Sequence, residues 1–273
     1  MENMKELFAL RGLTSRIATE EEISSAEAFY SEGSKTGVLF IHGFTVTPAN
    51  FRAYGERIAK EYGFTVSIPL LPGHGTKPDD LIGVNWFDWL IYIIDEFDKL
   101  KQKCDTVFVV GISLGGALAL HLSKQRKGIK KLYLLAPAVY ASPLLEVAIY
   151  SVVPAMKLLK LPFWFHVAGD VKKTDGFEIG YNKTAVYGLE ELYKCMKETE
   201  RILPFVQNDV LLFQGKIDHE VPAEKADDIL KLLGSPKKQL IWLDNSYHEI
   251  PRDEDSEVVY QAIVKDIFLM LNS

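Results

Sequence analysis

Cysteine is scarce in this chain, with Cys104 and Cys195 the only two. A disulfide-stapled secreted scaffold needs more, so both are expected to be reduced and structurally incidental. Basic charge is also short: 31 Lys and Arg stand against 37 Asp and Glu, a formal net charge of -6. Basic pairs such as Lys130-Lys131 and Lys172-Lys173 are too brief to track a phosphate backbone, which excludes a nucleic-acid binder. No run reaches the roughly 18 apolar residues of an integral membrane span. The nearest, Leu144 to Leu159, is broken by Glu146, Ser151, Pro154 and Lys157. Met1 to Arg16 mixes charges among its apolar residues and lacks the core of a secretory leader. There is no internal repeat and no low-complexity tract. Together these absences predict a soluble, cytoplasmic protein.

What is present suits one sizeable globular domain with room for an insertion, at 273 residues, 48% hydrophobic and 25% charged. Val38-Leu39-Phe40-Ile41 is a short apolar run of the kind buried on both faces of a parallel sheet. Thr47-Pro48 reads as a helix N-cap followed by proline at the first helical position, opening a helix to about Tyr62. Phe64 to Ile68, Thr106 to Val110, Leu132 to Leu135, Val210 to Phe213 and Leu240 to Leu243 read as further strands. Helical patterns fall at Trp86 to Lys101, after Gly116 to about Ser123, at Pro222 to Leu233 and at Ser256 to Leu271. Strands alternating with helices predict an α/β fold, a mostly parallel central sheet with helices on both faces. The alternation stops between residues 138 and 206, where no strand is evident. That segment is expected to be a small helical cap on a core of residues 1–137 and 207–273, placed to cover a crevice at the strand ends.

Gly111-Ile112-Ser113-Leu114-Gly115 carries the chemistry. G-x-S-x-G alone recurs by chance, but here it joins a strand to a helix, the setting of a nucleophile elbow. Ser113 stands where a dinucleotide fingerprint needs glycine, and Ala117 follows Gly116 where a phosphate-binding loop needs lysine. The turn is built to present a hydroxyl. A serine hydroxyl needs a positioned base, and chain order after an elbow runs serine, acid, histidine. His42 and His74 precede Ser113, His121 lies on the following helix, His166 falls in the inserted segment and His219 adjoins the best acid. His248, between the last strand and the last helix, meets both order and position. Asp218 follows the Val210 to Phe213 strand and is the expected acid; Asp209 precedes its strand, Asp244 is only four residues from His248, and Glu220 is a fallback. Backbone N–H groups of Leu114 and Phe44 are the expected oxyanion donors, each worth about 3 kcal/mol of barrier. Gly43 leaves room for a substrate carbonyl.

With these residues assembled, the sequence resembles the bacterial monoacylglycerol lipases and small carboxylesterases of the α/β-hydrolase superfamily. The matching segments are His42-Gly43-Phe44-Thr45, Pro72-Gly73-His74-Gly75-Thr76, Gly111 to Gly116, Asp218 with Val221-Pro222, and Asn245-Ser246-Tyr247-His248. The resemblance implies an α/β-hydrolase fold of seven or eight core strands and a serine carboxylesterase or monoacylglycerol lipase. It implies no cofactor or metal, and a small-molecule substrate: a short- to medium-chain acyl ester, either monoglyceride-like or a simple aryl or alkyl ester. A thioesterase, acyltransferase or carbon–carbon bond hydrolase is the alternative for the same triad, and no oligomeric state is specified. Two departures stand out. The segment 138–206 does not align, so Met156, Leu159, Phe163 and Trp164, with Leu158, Leu161 and Phe165 among them, are acyl-pocket candidates from their apolar character alone; packing of the cap onto the core is the equal alternative. Glu249 follows His248 where relatives carry an apolar residue, and a carboxylate there is expected to raise the imidazole pKa.

Overall fold

The structure, a computed structural model, describes residues 9–11, 26–159, 164–166, 169–173, 178–181 and 183–272. In chain order the strands are β1 (Ala9–Arg11), β2 (Phe29–Ser31), β3 (Thr36–Ile41), β4 (Thr65–Ile68), β5 (Thr106–Ile112), β6 (Ile129–Leu135), β7 (Trp164–His166), β8 (Glu178–Gly180), β9 (Lys183–Ala185), β10 (Val210–Gly215) and β11 (Lys238–Leu243). The helices are α1 (Ala49–Tyr62), α2 (Trp86–Lys103), α3 (Leu114–Gln125), α4 (Pro143–Val147), α5 (Val153–Leu159), α6 (Val186–Ile202), α7 (Ala226–Leu232) and α8 (Ser256–Leu271).

Strands covered on both faces must be apolar throughout, and those of the sheet centre are. β3, β5 and β10 are buried along almost their whole length. Seven strands form one sheet in the order β11-β10-β6-β5-β3-β4-β2, parallel except for the antiparallel β2 edge. Alternate side chains build two cores. Leu39, Ile41, Val107 and Val109 pack with Trp89 and Phe97 of α2 and Leu118 of α3. Val38, Phe40, Phe108 and Val110 face the other way, onto Phe51 of α1 and Tyr260 and Ile267 of α8. Helix α2 begins at a capping box, with Asn85 Oδ1 accepting from the Asp88 N–H at 3.3 Å and the Asp88 carboxylate accepting from the Asn85 N–H at 2.8 Å.

The architecture is the α/β-hydrolase sheet expected, with two local differences. Helix α1 opens at Ala49, and Thr47 is not its cap. The Thr47 hydroxyl instead donates to the Ile179 carbonyl at 3.0 Å, because a strand from the inserted segment lies beside it. The second difference is that strand. Between β6 and β10 run α4, a π-turn (Ala148–Val152), α5 and α6, but also three short strands, β8 pairing with β1 and β7 with β9. Three residues are too few to display a period, so a helical reading missed them. Segment and core are stitched together at Val46, which bridges Gly180, and where the Tyr181 N–H donates to the Thr45 carbonyl at 2.7 Å.

Candidate active site

The parallel strands all point their carboxyl ends to one side, and the candidate residues follow β3, β5, β10 and β11 there. Ser113 ends β5 at φ 51° and ψ -119°, a conformation costly for a residue with a side chain. Two more non-glycine residues with positive φ stand at neighbouring strand ends, Thr45 (64°) after β3 and Ala136 (42°) after β6. The elbow is held by its surroundings: the Ser113 N–H donates to Leu135 at 3.0 Å, and the Ser113 carbonyl accepts from Ala117 at 3.1 Å and Ala138 at 3.0 Å. The glycines are steric necessities. A Cβ at Gly115 would overlap the carbonyl oxygens of Ile41 and His42, and one at Gly111 the carbonyl of Gly115.

Asp218 and His248 meet across 30 residues of sequence, with His248 Nδ1 2.9 Å from Asp218 Oδ2. The Asp218 side chain is wholly buried and that of His248 is 5% exposed. Every lone-pair direction of the carboxylate is used: Oδ2 also accepts from Gln214 Nε2 at 2.9 Å, and Oδ1 accepts from the Glu220 and Val221 N–H groups at 2.9 Å each. Burial alone would raise the Asp218 carboxyl, but His248 and the two backbone donors outweigh it and hold it below the usual range. Burial alone would lower the His248 imidazole; the Asp218 carboxylate, with Glu249 and Glu220 behind it, overcomes that and raises it. The expectation for Glu249 therefore has a structural basis. Its buried carboxylate accepts from Asn50 Nδ2 at 2.6 Å, on the first turn of α1. With Nδ1 committed to Asp218, Nε2 is the ring nitrogen that can exchange a proton with a hydroxyl.

Phe44, Ser113 and His248 line one cavity of about 450 Å³. A Cβ built on Gly43 would come within 3.5 Å of Ser113 Cβ, so the loop after β3 lies against the elbow. Leu114 is the first residue of α3, where an N–H has no partner within the helix. The loop itself is rigid. His42 accepts from the Leu71 N–H through Nε2 at 3.0 Å and turns Nδ1 to the Gly43 carbonyl at 2.9 Å. Burial drives the His42 imidazole well below its ordinary pKa and lowers that of His74 to about 4, so both stay neutral. The rings of His74 and Trp89 pack edge-on to Phe44 at 6.0 and 5.8 Å.

Three of the other candidates have different partners. His121 faces Thr199 at 3.1 Å, Asp244 pairs with Lys216, and Asp209 lies 3.9 Å from Lys237 before β10. Of the acyl-pocket candidates, Leu161 and Phe163 lie outside the described residues, and for Met156, Leu159, Trp164 and Phe165 only the backbone is described. Leu158 is 84% exposed and belongs to no wall. The described apolar wall comes from residues that sequence reasoning passed over: Leu145, Ala148 and Val152 around the π-turn, and Leu189, Leu192 and Met196 of α6. The spacing of three and four along α6 was the available signal. Asp170 and Gln214, which hold the acid and base loops, carried none. Among the described residues no three His, Cys, Asp or Glu side chains gather as a metal site requires, and no helix there is long and apolar enough to cross a membrane.

Comparison with known proteins agrees with this fold. Residues 33–255 match the family described as Serine aminopeptidase, S33. The chain is 34% identical to a thermostable monoacylglycerol lipase of Bacillus sp. (strain H-257) over 245 residues, 88% of this chain and 93% of that one. It is 25% identical to a carboxylesterase of Bacillus subtilis (strain 168) over 246 residues, 89% and 96% of the two chains. A solved structure from the metagenome-derived lipolytic enzymes LipS and LipT superposes with a TM-score of 0.82 at 31% identity, covering 89% of this chain and 97% of that one.

Proposed function

The chain belongs to the α/β-hydrolase family described as Serine aminopeptidase, S33, and from that premise we propose that it hydrolyses carboxylic esters through Ser113, His248 and Asp218. Ser113 Oγ attacks the ester carbonyl as His248 Nε2 takes its proton. Asp218 fixes the imidazole tautomer and stabilises the imidazolium. The N–H groups of Leu114 and Phe44 receive the developing oxyanion, helped by the positive end of α3. Collapse of the tetrahedral intermediate breaks the C–O bond, and His248 protonates the departing alcohol. Water, deprotonated by the same nitrogen, then releases the acid and restores Ser113.

One observation carries the reading: a buried carboxylate–imidazole pair 2.9 Å apart opens on the same cavity as a strained serine. The substrate class follows from the wall. Leu145, Val152, Leu189 and Leu192 suit an acyl chain, and the monoacylglycerol lipase and carboxylesterase relatives support a short- to medium-chain monoglyceride or simple ester. The segment 138–206 acts in this reading as a cap over the acyl group. A cytoplasmic location belongs to the same reading, supported by Cys104 and Cys195 being buried as free thiols.

The test is hydrolysis of p-nitrophenyl butyrate, abolished by Ser113→Ala and blocked by a serine-directed phosphonate. A panel of monoglycerides, aryl esters, acyl-thioesters and aminoacyl anilides then fixes the class. Turnover confined to thioesters or anilides would replace the ester reading.

A further inference from the structure

Asp170 lies in the inserted segment, far along the chain from both the acid and the base, yet it grips the backbone beside each. Its Oδ2 accepts from the N–H of His219, the residue after Asp218, at 2.9 Å and from the N–H of His248 itself at 3.1 Å. Oδ1 faces His219 Nδ1 at 2.6 Å, and the Asp170 carbonyl accepts from the Glu249 N–H at 3.1 Å. The carboxylate is only 10% exposed. The His219 ring, so held, packs edge-on against Tyr247 with centroids 4.7 Å apart. Just downstream, the N–H groups of Lys172 and Lys173 donate to Asp253 at 2.9 Å each, and the same carboxylate accepts from Tyr247 at 2.8 Å. The stretch 170–173 is therefore laid along the loop that carries His248.

We infer that Asp170 is a positioning residue, by which the inserted segment sets the register between the acid and base loops. The inference rests on the proposed triad. Asp218 and His248 touch through a single side-chain bond; the loops that carry them also meet where Lys216 pairs with Asp244 and where Gly215 lies against the carbonyls of Ser246 and Tyr247, but none of these contacts reaches His248 itself. One carboxylate accepting from both backbones fixes the separation at a second point, where charge-assisted bonds are strongest. From the core side, Asp255 accepts from the Asn245 N–H at 2.8 Å and Asp253 holds Tyr247, but neither reaches the acid loop in these contacts. Asp170 joins the two loops to each other. Because the inserted segment also walls the cavity, the element that receives the substrate is the element that aligns the base.

A misplacement of about 1 Å can cost on the order of a hundredfold in rate while leaving binding intact. Asp170→Ala is thus expected to lower kcat for p-nitrophenyl butyrate by roughly ten- to a hundredfold, with KM changed by less than about threefold. The low-field proton resonance expected for the imidazole Nδ1–H of the parent should broaden or shift in the variant. Asp170→Asn, which keeps one acceptor oxygen, should fall in between. His219→Ala removes the ring contact but spares both backbone donors, and should cost less than about threefold. If Asp170→Ala fails to fold, Asp170→Asn is judged by the same criteria. A folded Asp170 variant whose kcat stays within twofold of the parent, or whose whole defect lies in KM, overturns the inference. Ser113→Ala separates this from the functional reading: if it still turns over ester, the triad is wrong; if it is dead while Asp170 variants are fully active, only the positioning role is.

Discussion

At the carboxyl ends of β3 and β5, backbone meets backbone: Ser113 is held at φ 51°, Gly115 lies against the carbonyls of Ile41 and His42, and neutral buried histidines fix the next loop. Across the cavity, the segment 138–206 presents side chains instead, from α4, the π-turn and one face of α6. The first region has little slack, since a Cβ at Gly111 or Gly115 would displace main chain. The second can change volume one side chain at a time. In the proposed reading, reaction chemistry belongs to the rigid side and substrate choice to the adjustable side, and the contacts of Asp170 bridge the two.

That contrast can be broken or sharpened by mutation. The largest effect is expected at the nucleophile. Ser113→Ala should reduce kcat for p-nitrophenyl butyrate by roughly ten-thousandfold or more with the fold intact, measured by steady-state kinetics beside a melting curve. Gly115→Ala should act through structure. Forcing a Cβ into the Ile41 and His42 carbonyls is expected to cost about 3 kcal/mol or more in urea unfolding; a change below about 1 kcal/mol would show that the elbow has slack after all.

Glu249→Gln should leave the Asn50 contact possible while removing a charge that raises the His248 imidazole. The base works only when neutral, so kcat/KM rises with pH through the pKa of His248. Loss of the raising influence moves that limb to lower pH, and the variant should outpace the parent on the acid side by a few-fold. A limb unmoved, or displaced upward, removes Glu249 from the electrostatics. The smallest effect is expected in the wall. Leu192→Ala should enlarge the acyl space, improving kcat/KM for longer chains relative to butyrate by a few-fold, at about 0.8 kcal/mol per methylene accommodated. Equal changes across acetyl to octanoyl esters would deny the wall a role in selection.

The same division governs what could be read from sequence. β3 and β5 announce themselves because strands buried on two faces are unbroken apolar runs. Ser113 is legible because only glycine fits two positions to either side of it, and Asp218 and His248 because chain order and strand position leave few competitors. β2, β7, β8 and β9, at three residues each, are too short to carry a pattern. Thr47 looks like a cap until the strand that takes its hydroxyl is in place. Asp170 is illegible for a deeper reason: the groups it binds are mostly backbone N–H, which every residue but proline supplies. Sequence points to Leu159 and Phe163 for an acyl pocket, whereas the described lining comes from α4, the π-turn and α6.

The most direct measurement is intact-mass and peptide-level mass spectrometry of the protein quenched while turning over p-nitrophenyl butyrate, in the parent and in His248→Ala. The account expects a butyryl group on Ser113 in the parent, formed at least a thousandfold more slowly once the imidazole is gone, by roughly the factor that loss of a triad base imposes. An acyl adduct on another residue, or one that forms on Ser113 at the parent rate without His248, would contradict it.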